Sequence, residues 1–152
     1  MSVGALLWGA CALLPGCGSK GAVSLSARID NAQLTVQDAT LGTKLSGKFD
    51  LVLELGEAAP RATEVQLGAF SLKNDHGVLV ERLALESEPF PISVAVGTTR
   101  SVPFTLDDSE LVTPGSAEIC AGPVYIGGSV SDSLSNGKAS NVTSSMLAID
   151  CP

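Results

Sequence analysis

An apolar side chain falls at every second position along most of this chain, and that period limits its fold more sharply than any other feature. Val23, Leu25, Ala27 and Ile29 alternate with Ser24, Ser26 and Arg28. Leu34 and Val36 form a shorter stretch. Phe49, Leu51, Leu53 and Leu55 alternate with Asp50 and Glu54, after Lys48. Val65, Leu67 and Ala69 keep the same period, and then Phe70 and Leu72 change face. Such a slip predicts a bulge near Gly68. Val78 to Leu85 is apolar and β-branched. Phe90, Ile92, Val94 and Val96 alternate, as do Val102, Phe104 and Leu106. Side chains two apart share one face of a strand, so these segments read as half-buried antiparallel strands. No stretch holds the helical period for three turns.

The residues between these runs agree. Asn74-Asp75-His76-Gly77 reads as a hairpin loop, with Gly77 free to take positive φ. Ala58-Ala59-Pro60, Glu88-Pro89 and Thr113-Pro114-Gly115 mark other connections. Short strands about ten residues apart predict an all-β fold, an antiparallel β-sandwich of immunoglobulin-like architecture. The strand count is nine. It falls to seven if Val23–Ile29 merges with Leu34–Val36 and Phe90–Val96 merges with Val102–Leu106.

A chain of 152 residues is sized for one such domain. Its hydrophobic content of 45% is too high for a disordered chain. The net charge of -7, with no run of Lys or Arg, argues against nucleic acid, because phosphate backbones need clustered cations. An anionic membrane surface repels such a domain too, but a lipid can still tether it.

The first nineteen residues carry no charged side chain, and Val3 to Leu14 has the length of a signal-peptide apolar region. Leu14-Pro15-Gly16-Cys17 follows, with leucine three before the cysteine and a small residue just before it. This stretch resembles the lipobox of bacterial lipoproteins. The resemblance implies a signal peptide over residues 1–16, acylation of Cys17 as the mature N-terminus, and a short linker over residues 17–22. Residues 23–152 then form the single β-sandwich domain. The implied location is the bacterial cell envelope, lipid-anchored to the membrane and facing the periplasm or the cell surface.

Of the four cysteines, Cys11 would leave with the signal and Cys17 would carry lipid. Cys120 and Cys151 remain, and an exported pair is expected to be oxidised. Ala117 to Ser131 and Asn141 to Cys151 flank Ser135-Asn136-Gly137-Lys138 and predict a long hairpin. A two-residue Asn136-Gly137 turn leaves the two cysteines out of register. Bulges at Gly122-Pro123 or Gly127-Gly128, or a wider loop, would absorb the mismatch. The expected disulfide thus joins neighbouring strands.

Few residues suggest chemistry. His76, the single histidine, sits on a predicted turn with no partner in sequence, which reads as an exposed turn residue rather than a general base. Asp107-Asp108-Ser109-Glu110 sets three carboxylates in one turn, the oxygen ligands that calcium takes, without Asp-x-Asp-x-Asp-Gly spacing. The leading expectation is a non-catalytic binding or accessory module without a cofactor, partnered by another envelope protein. The alternative is a calcium- or small-ligand-binding lipoprotein using the Asp107 to Glu110 loop. An odd number of reversing strands brings the Ser135 to Lys138 tip back to the end where the first strand starts. Cys120, Cys151 and the segment from Asp107 to Gly115 then lie at the opposite end. With a tether under about 20 Å crowding the near end, Asp107, Asp108 and Glu110 are expected to border the partner-binding surface.

Overall fold

The structure is a computed structural model that describes residues 24–107 and 109–152. The expected signal segment, Cys17, the linker and Asp108 lie outside the described residues. In chain order the elements are β1 (Leu25–Ala39), β2 (Gly42–Leu55), β3 (Thr63–Leu67), β4 (Ser71–Asn74), β5 (Gly77–Val80) and β6 (Leu85–Glu86). They continue with β7 (Ile92–Val94), β8 (Thr98–Leu106), β9 (Leu111–Val112), the helical turn α1 (Ser116–Ile119), β10 (Val124–Asp132), β11 (Ala139–Thr143) and β12 (Ala148–Asp150).

Two sheets face each other. The first has the order β12-β1-β2-β8-β6, with β9 continuing beside β2. The second carries β11 on one edge of β10, and β3 and β4 end to end on the other. β7 flanks β3 and β5 flanks β4. In the immunoglobulin arrangement strands A, B, E and D form one sheet and C, F and G the other. Here β1, β2, β8 and β6 stand in the first order, and β3–β4, β10 and β11 in the second. All pairings are antiparallel except β12 on β1, which is parallel.

The register slips follow the apolar period. Leu67 to Ser71 spans one residue more than Gly127 to Val130 opposite, so a bulge lies at the expected place. It turns Val65, Phe70 and Leu72 all inward. A second bulge, between Asp30 and Gln33, joins the described part of the first expected stretch, from Leu25 to Ile29, and Leu34–Val36 into the long strand β1. Ile29 and Leu34, of opposite parity, both reach the core for that reason.

Other expectations are corrected. Phe90–Val96 does not merge with Val102–Leu106. β7 belongs to the second sheet and β8 to the first, with a turn through Gly97 at φ 70 between them. Val78 to Leu85 also divides: β5 stays in the second sheet and β6 joins the first. Leu83 is buried in this crossover and donates its N–H to the Phe70 carbonyl at 2.8 Å. These breaks raise the count to twelve strand segments among the described residues, above the seven to nine expected. β10 carries no bulge at Gly127-Gly128. The glycines serve close approach instead, because a Cβ on Gly128 would meet the Phe70 ring.

The core lies between the sheets. Phe49 and Phe104 are cross-strand partners whose rings stack with centroids 4.9 Å apart. Phe70 reaches them from the second sheet at 5.6 and 5.9 Å, and Phe90 joins Phe104 at 6.1 Å. Leu51, Leu53, Leu55, Val65, Leu72, Val102, Val124 and Ile126 extend the same buried layer.

The pairings fix two ends. β1 runs away from the end where Leu25 enters; β2 returns, β3–β4 runs out again, and β10 comes back. The loop after β10, residues 133–138, therefore lies at the entry end. The β4–β5 turn, α1 and the last residues lie toward the far end. This is the placement that strand parity predicts, although the strand count differs.

Two glycines make this packing testable. On Gly47 a Cβ would overlap the Gln33 carbonyl, which is backbone and cannot swing aside. Gly47→Ala and Gly128→Ala should each destabilise the fold by about 1–3 kcal/mol in urea unfolding. Gly122→Ala, which meets open space, should change it by less than about 0.5 kcal/mol. Wild-type stability in Gly47→Ala would refute the close approach at the β1 bulge.

Candidate functional site

The far end is closed by a disulfide between Cys120 and Cys151, with Cα atoms 6.3 Å apart. Its partners are not on neighbouring strands of one hairpin, as the sequence suggested. Ala117 to Ile119 forms most of the helical turn α1, and Cys120 is its C-cap. The loop between β10 and β11 is wider than two residues, since Ser131 pairs with Ala139. After β11 the chain crosses to the first sheet, so Cys151 follows β12 on the edge of β1. The bridge therefore ties the connection that leads into one sheet to the last edge strand of the other. Ile119, fully buried, anchors the helical turn beside it.

The expected acidic loop interrupts an edge rather than capping an end. Its described residues, Asp107, Ser109 and Glu110, lie between β8 and β9, which pair with β2 on either side of Leu45 and Ser46. The Asp107 N–H donates to the Ala84 carbonyl at 3.0 Å, which ties the loop to the β5–β6 crossover. Its carboxylate accepts the Ser109 N–H at 2.9 Å and the Ser109 hydroxyl at 2.8 Å. Those two bonds hold the Asp107 carboxyl below the usual range. Glu110 is exposed. Among the described residues no group of three or more His, Cys, Asp or Glu side chains stands ready to hold a metal ion. His76 is exposed on the β4–β5 turn, and its N–H donates to Asn74 Oδ1 at 2.9 Å.

Two open clefts flank the end of β6. One, of about 800 Å³, runs past Gly68, Phe70, Arg82 and Glu86 to Asp107 and Glu110. The other, of about 710 Å³, lies on the outer face of the first sheet over β1, β2, β8 and β6. Both include Glu86, Ser87 and Phe104, so the end of β6 is the ridge between them. The sequence pointed to the acidic loop and missed both clefts. Their walls come from strands far apart in the chain, and nothing in the alternation announces which ones meet.

A third feature, at the entry end, is structural. Asp132 is 8% exposed. Burial pushes its carboxyl up, yet hydrogen bonds from Ser135, Leu134 and Thr63 outweigh it and hold the group below the usual range. Its Oδ1 accepts from Leu134 N–H at 2.8 Å, Ser135 N–H at 3.1 Å and the Thr63 hydroxyl at 3.1 Å. One carboxylate thus closes the 133–138 loop and fastens it to β3.

Compared with protein-family models, with curated proteins and with solved structures, the chain shows no significant match.

Two outcomes follow from these contacts. Replacing Cys120 and Cys151 together by Ala should cost roughly 3–4 kcal/mol by the chain-entropy account, for a sequence separation of 31. An unchanged melting temperature in that double variant would remove the bridge from the energetics. Because the folded pKa of Asp132 lies below its unfolded value, its contribution is present above the unfolded pKa. It is lost as the pH falls below the unfolded value of 3.8 and through the lower folded one. Asp132→Asn should lower stability at pH 7 by about 1–3 kcal/mol and flatten the acid limb. An acid limb that stays as steep as in wild type would contradict this assignment.

Proposed function

We propose that this chain is an exported bacterial envelope protein, lipid-anchored through Cys17, that acts as a non-catalytic binding or accessory module for another envelope protein. The observation that carries this reading is the Cys120–Cys151 disulfide at the end opposite the chain entry. Disulfides persist in oxidising compartments and are rare in the bacterial cytosol, which agrees with the export implied by the lipobox-like Leu14 to Cys17. Dual acylation gives stable anchoring without a spanning helix.

Polarity within the domain supports a binding role. The lipid would enter beside Leu25, and the two clefts flanking the end of β6 stand farther along the sandwich. Arg82, Glu86, Asp107 and Glu110 surround the cleft nearest the acidic loop. Binding residues concentrate on such irregular segments held by a rigid scaffold. The calcium reading gains no support from Asp107, whose two carboxylate oxygens already face Ser109.

Anchoring is tested by Cys17→Ser. The protein should leave the membrane fraction for the soluble one, or accumulate unprocessed. Unchanged detergent-dependent partitioning would rule out lipid at Cys17. The partner surface is tested by affinity capture from intact envelopes. Converting Asp107, Asp108 and Glu110 together to Ser should weaken capture of the partner, and converting Asn136 and Lys138 should weaken it less. The reverse pattern would move the surface to the entry end.

A further inference from the structure

A sheet edge presents a row of unpaired backbone N–H and C=O groups, and short strands, bulges, charges and prolines blunt it. Most edges of this sandwich carry such a device. β6 and β9 have two residues each. β5 has a register shift against β4. β7 follows Pro91, and its Ser93 carbonyl accepts from Arg100 Nη1 at 3.0 Å. β12 has three residues and leads into the disulfide. The part of β1 that β12 leaves uncovered holds the bulge and the Arg28–Asp30 ion pair, and the part of β8 beyond β6 holds Pro103. Among the described edge strands β11 alone has no such device. Ala139-Ser140-Asn141-Val142-Thr143 contains no charge and no proline, and it pairs with β10 without a register shift.

The bonds around β10 fix which groups of β11 are free. Gly68 donates its N–H to the Ser129 carbonyl and Ser71 its hydroxyl to the Gly127 carbonyl, so these odd-numbered residues turn their backbone toward β3 and β4. On the other side Ser144 donates its N–H to the Ile126 carbonyl at 2.8 Å, so the even-numbered residues of β11 face β10. Backbone direction alternates along a strand. Ala139, Asn141 and Thr143 therefore turn their N–H and C=O groups away from β10, and among the described residues no other strand and no turn bonds to them. Their side chains are exposed, while buried Val142 and Ser144 hold the strand to the core.

An alternating row of N–H and C=O groups is complementary to another extended backbone. We infer that the occupant is a second copy of this chain, its β11 paired antiparallel with the first about a two-fold axis at Asn141. That axis sets Asn141 against Asn141 and Ala139 against Thr143, so every outward-turned residue meets another, and each such pair exchanges two backbone bonds. The two Asn141 amides lie opposite each other on the outer face, and each both donates and accepts. No charge meets its own copy, because Lys138 falls opposite Ser144 of the second copy. Behind the edge, the outer-face residues of β10 that pair with β11 are Gly127, Ser129 and Ser131. The meeting line is thus free of carboxylates in a chain of net charge -7, and repulsion between two acidic copies is not concentrated there. An edge of five residues is small beside an obligate interface, which makes the dimer reversible. This inference stands apart from the lipid anchor and the acidic loop: antiparallel pairing points the two entry ends in opposite directions, so lipid at Cys17 would lay the pair along a membrane rather than create it.

The test is sedimentation equilibrium of the purified full chain in a density-matched detergent, with micelles in excess so that a shared micelle does not count as association. Wild type should pass reversibly from monomer to dimer as its concentration rises. Because the axis sets residue 141 against itself, Asn141→Lys and Asn141→Asp should each weaken the dimer at least about tenfold through like-charge repulsion. An equimolar mixture of the two variants should restore it. At concentrations where wild type is monomeric, both variants should melt as wild type does, since the Asn141 side chain is exposed. Asp107→Ser should dimerise as wild type. A wild-type chain that stays monomeric, a dimer that survives both charges, or a mixture that fails to restore the dimer would overturn the proposal. A monomeric wild type that nonetheless binds a synthetic peptide of residues 138–145, with binding lost in Asn141→Pro, would give the edge to an extended segment of a different chain and overturn the second copy as its occupant.

Discussion

The stacked pair Phe49–Phe104, closed from the second sheet by Phe70, is the contact on which the sandwich depends. Phe90 extends it, so all four phenylalanines of the chain meet in one cluster. Aromatic side chains bury large areas, and with an aromatic content of only 4% the chain gathers all its phenylalanines at this one point among the aliphatic side chains of the core. Phe70 can turn inward only because the bulge near Gly68 shifts its parity. It fits only because Gly128 leaves room under its ring. A slip in one strand and a missing side chain in its neighbour are thus two halves of one packing solution.

The β1 bulge couples the same core to the surface. It brings Leu34 inward behind Ile29, and Gly47 makes room for the displaced Gln33 carbonyl. On the outer face it lifts Asn31 toward Asp50 and sets Gln33 opposite Lys48. The cleft on that outer face is therefore a by-product of core packing seen from the other side of the sheet. Neither face can change its register without the other.

Much of the fold was legible in the residues. Alternation identified the strands, the Asn74 to Gly77 turn and the bulge near Gly68. The two cysteines left after the lipobox resemblance were the pair that bonds. The β1 bulge carried the same parity signal as the one near Gly68, from Ile29 to Leu34, but a gap of polar residues made it read as a break. The disulfide's surroundings were misplaced, because Asn136-Gly137 suggested a tight turn. Asp132 instead gathers a wider loop around its carboxylate, which leaves the last strand free to cross to the other sheet.

By itself the sequence determined the parity of the side chains, and with it which residues enter the core, the all-β class and the cysteine pair. Only the tertiary structure decided which strands are neighbours and at what register. The physical reason is the period itself. A shift of one residue turns every side chain to the other face and is penalised by the core, whereas a shift of two leaves both faces apolar and polar as before. The alternation therefore cannot say that Gln33 pairs with Lys48, Lys48 with Thr105 and Thr105 with Glu86 across β1, β2, β8 and β6. Packing around Phe49, Phe70 and Phe104, with the glycines that permit it, selects that register and creates the clefts.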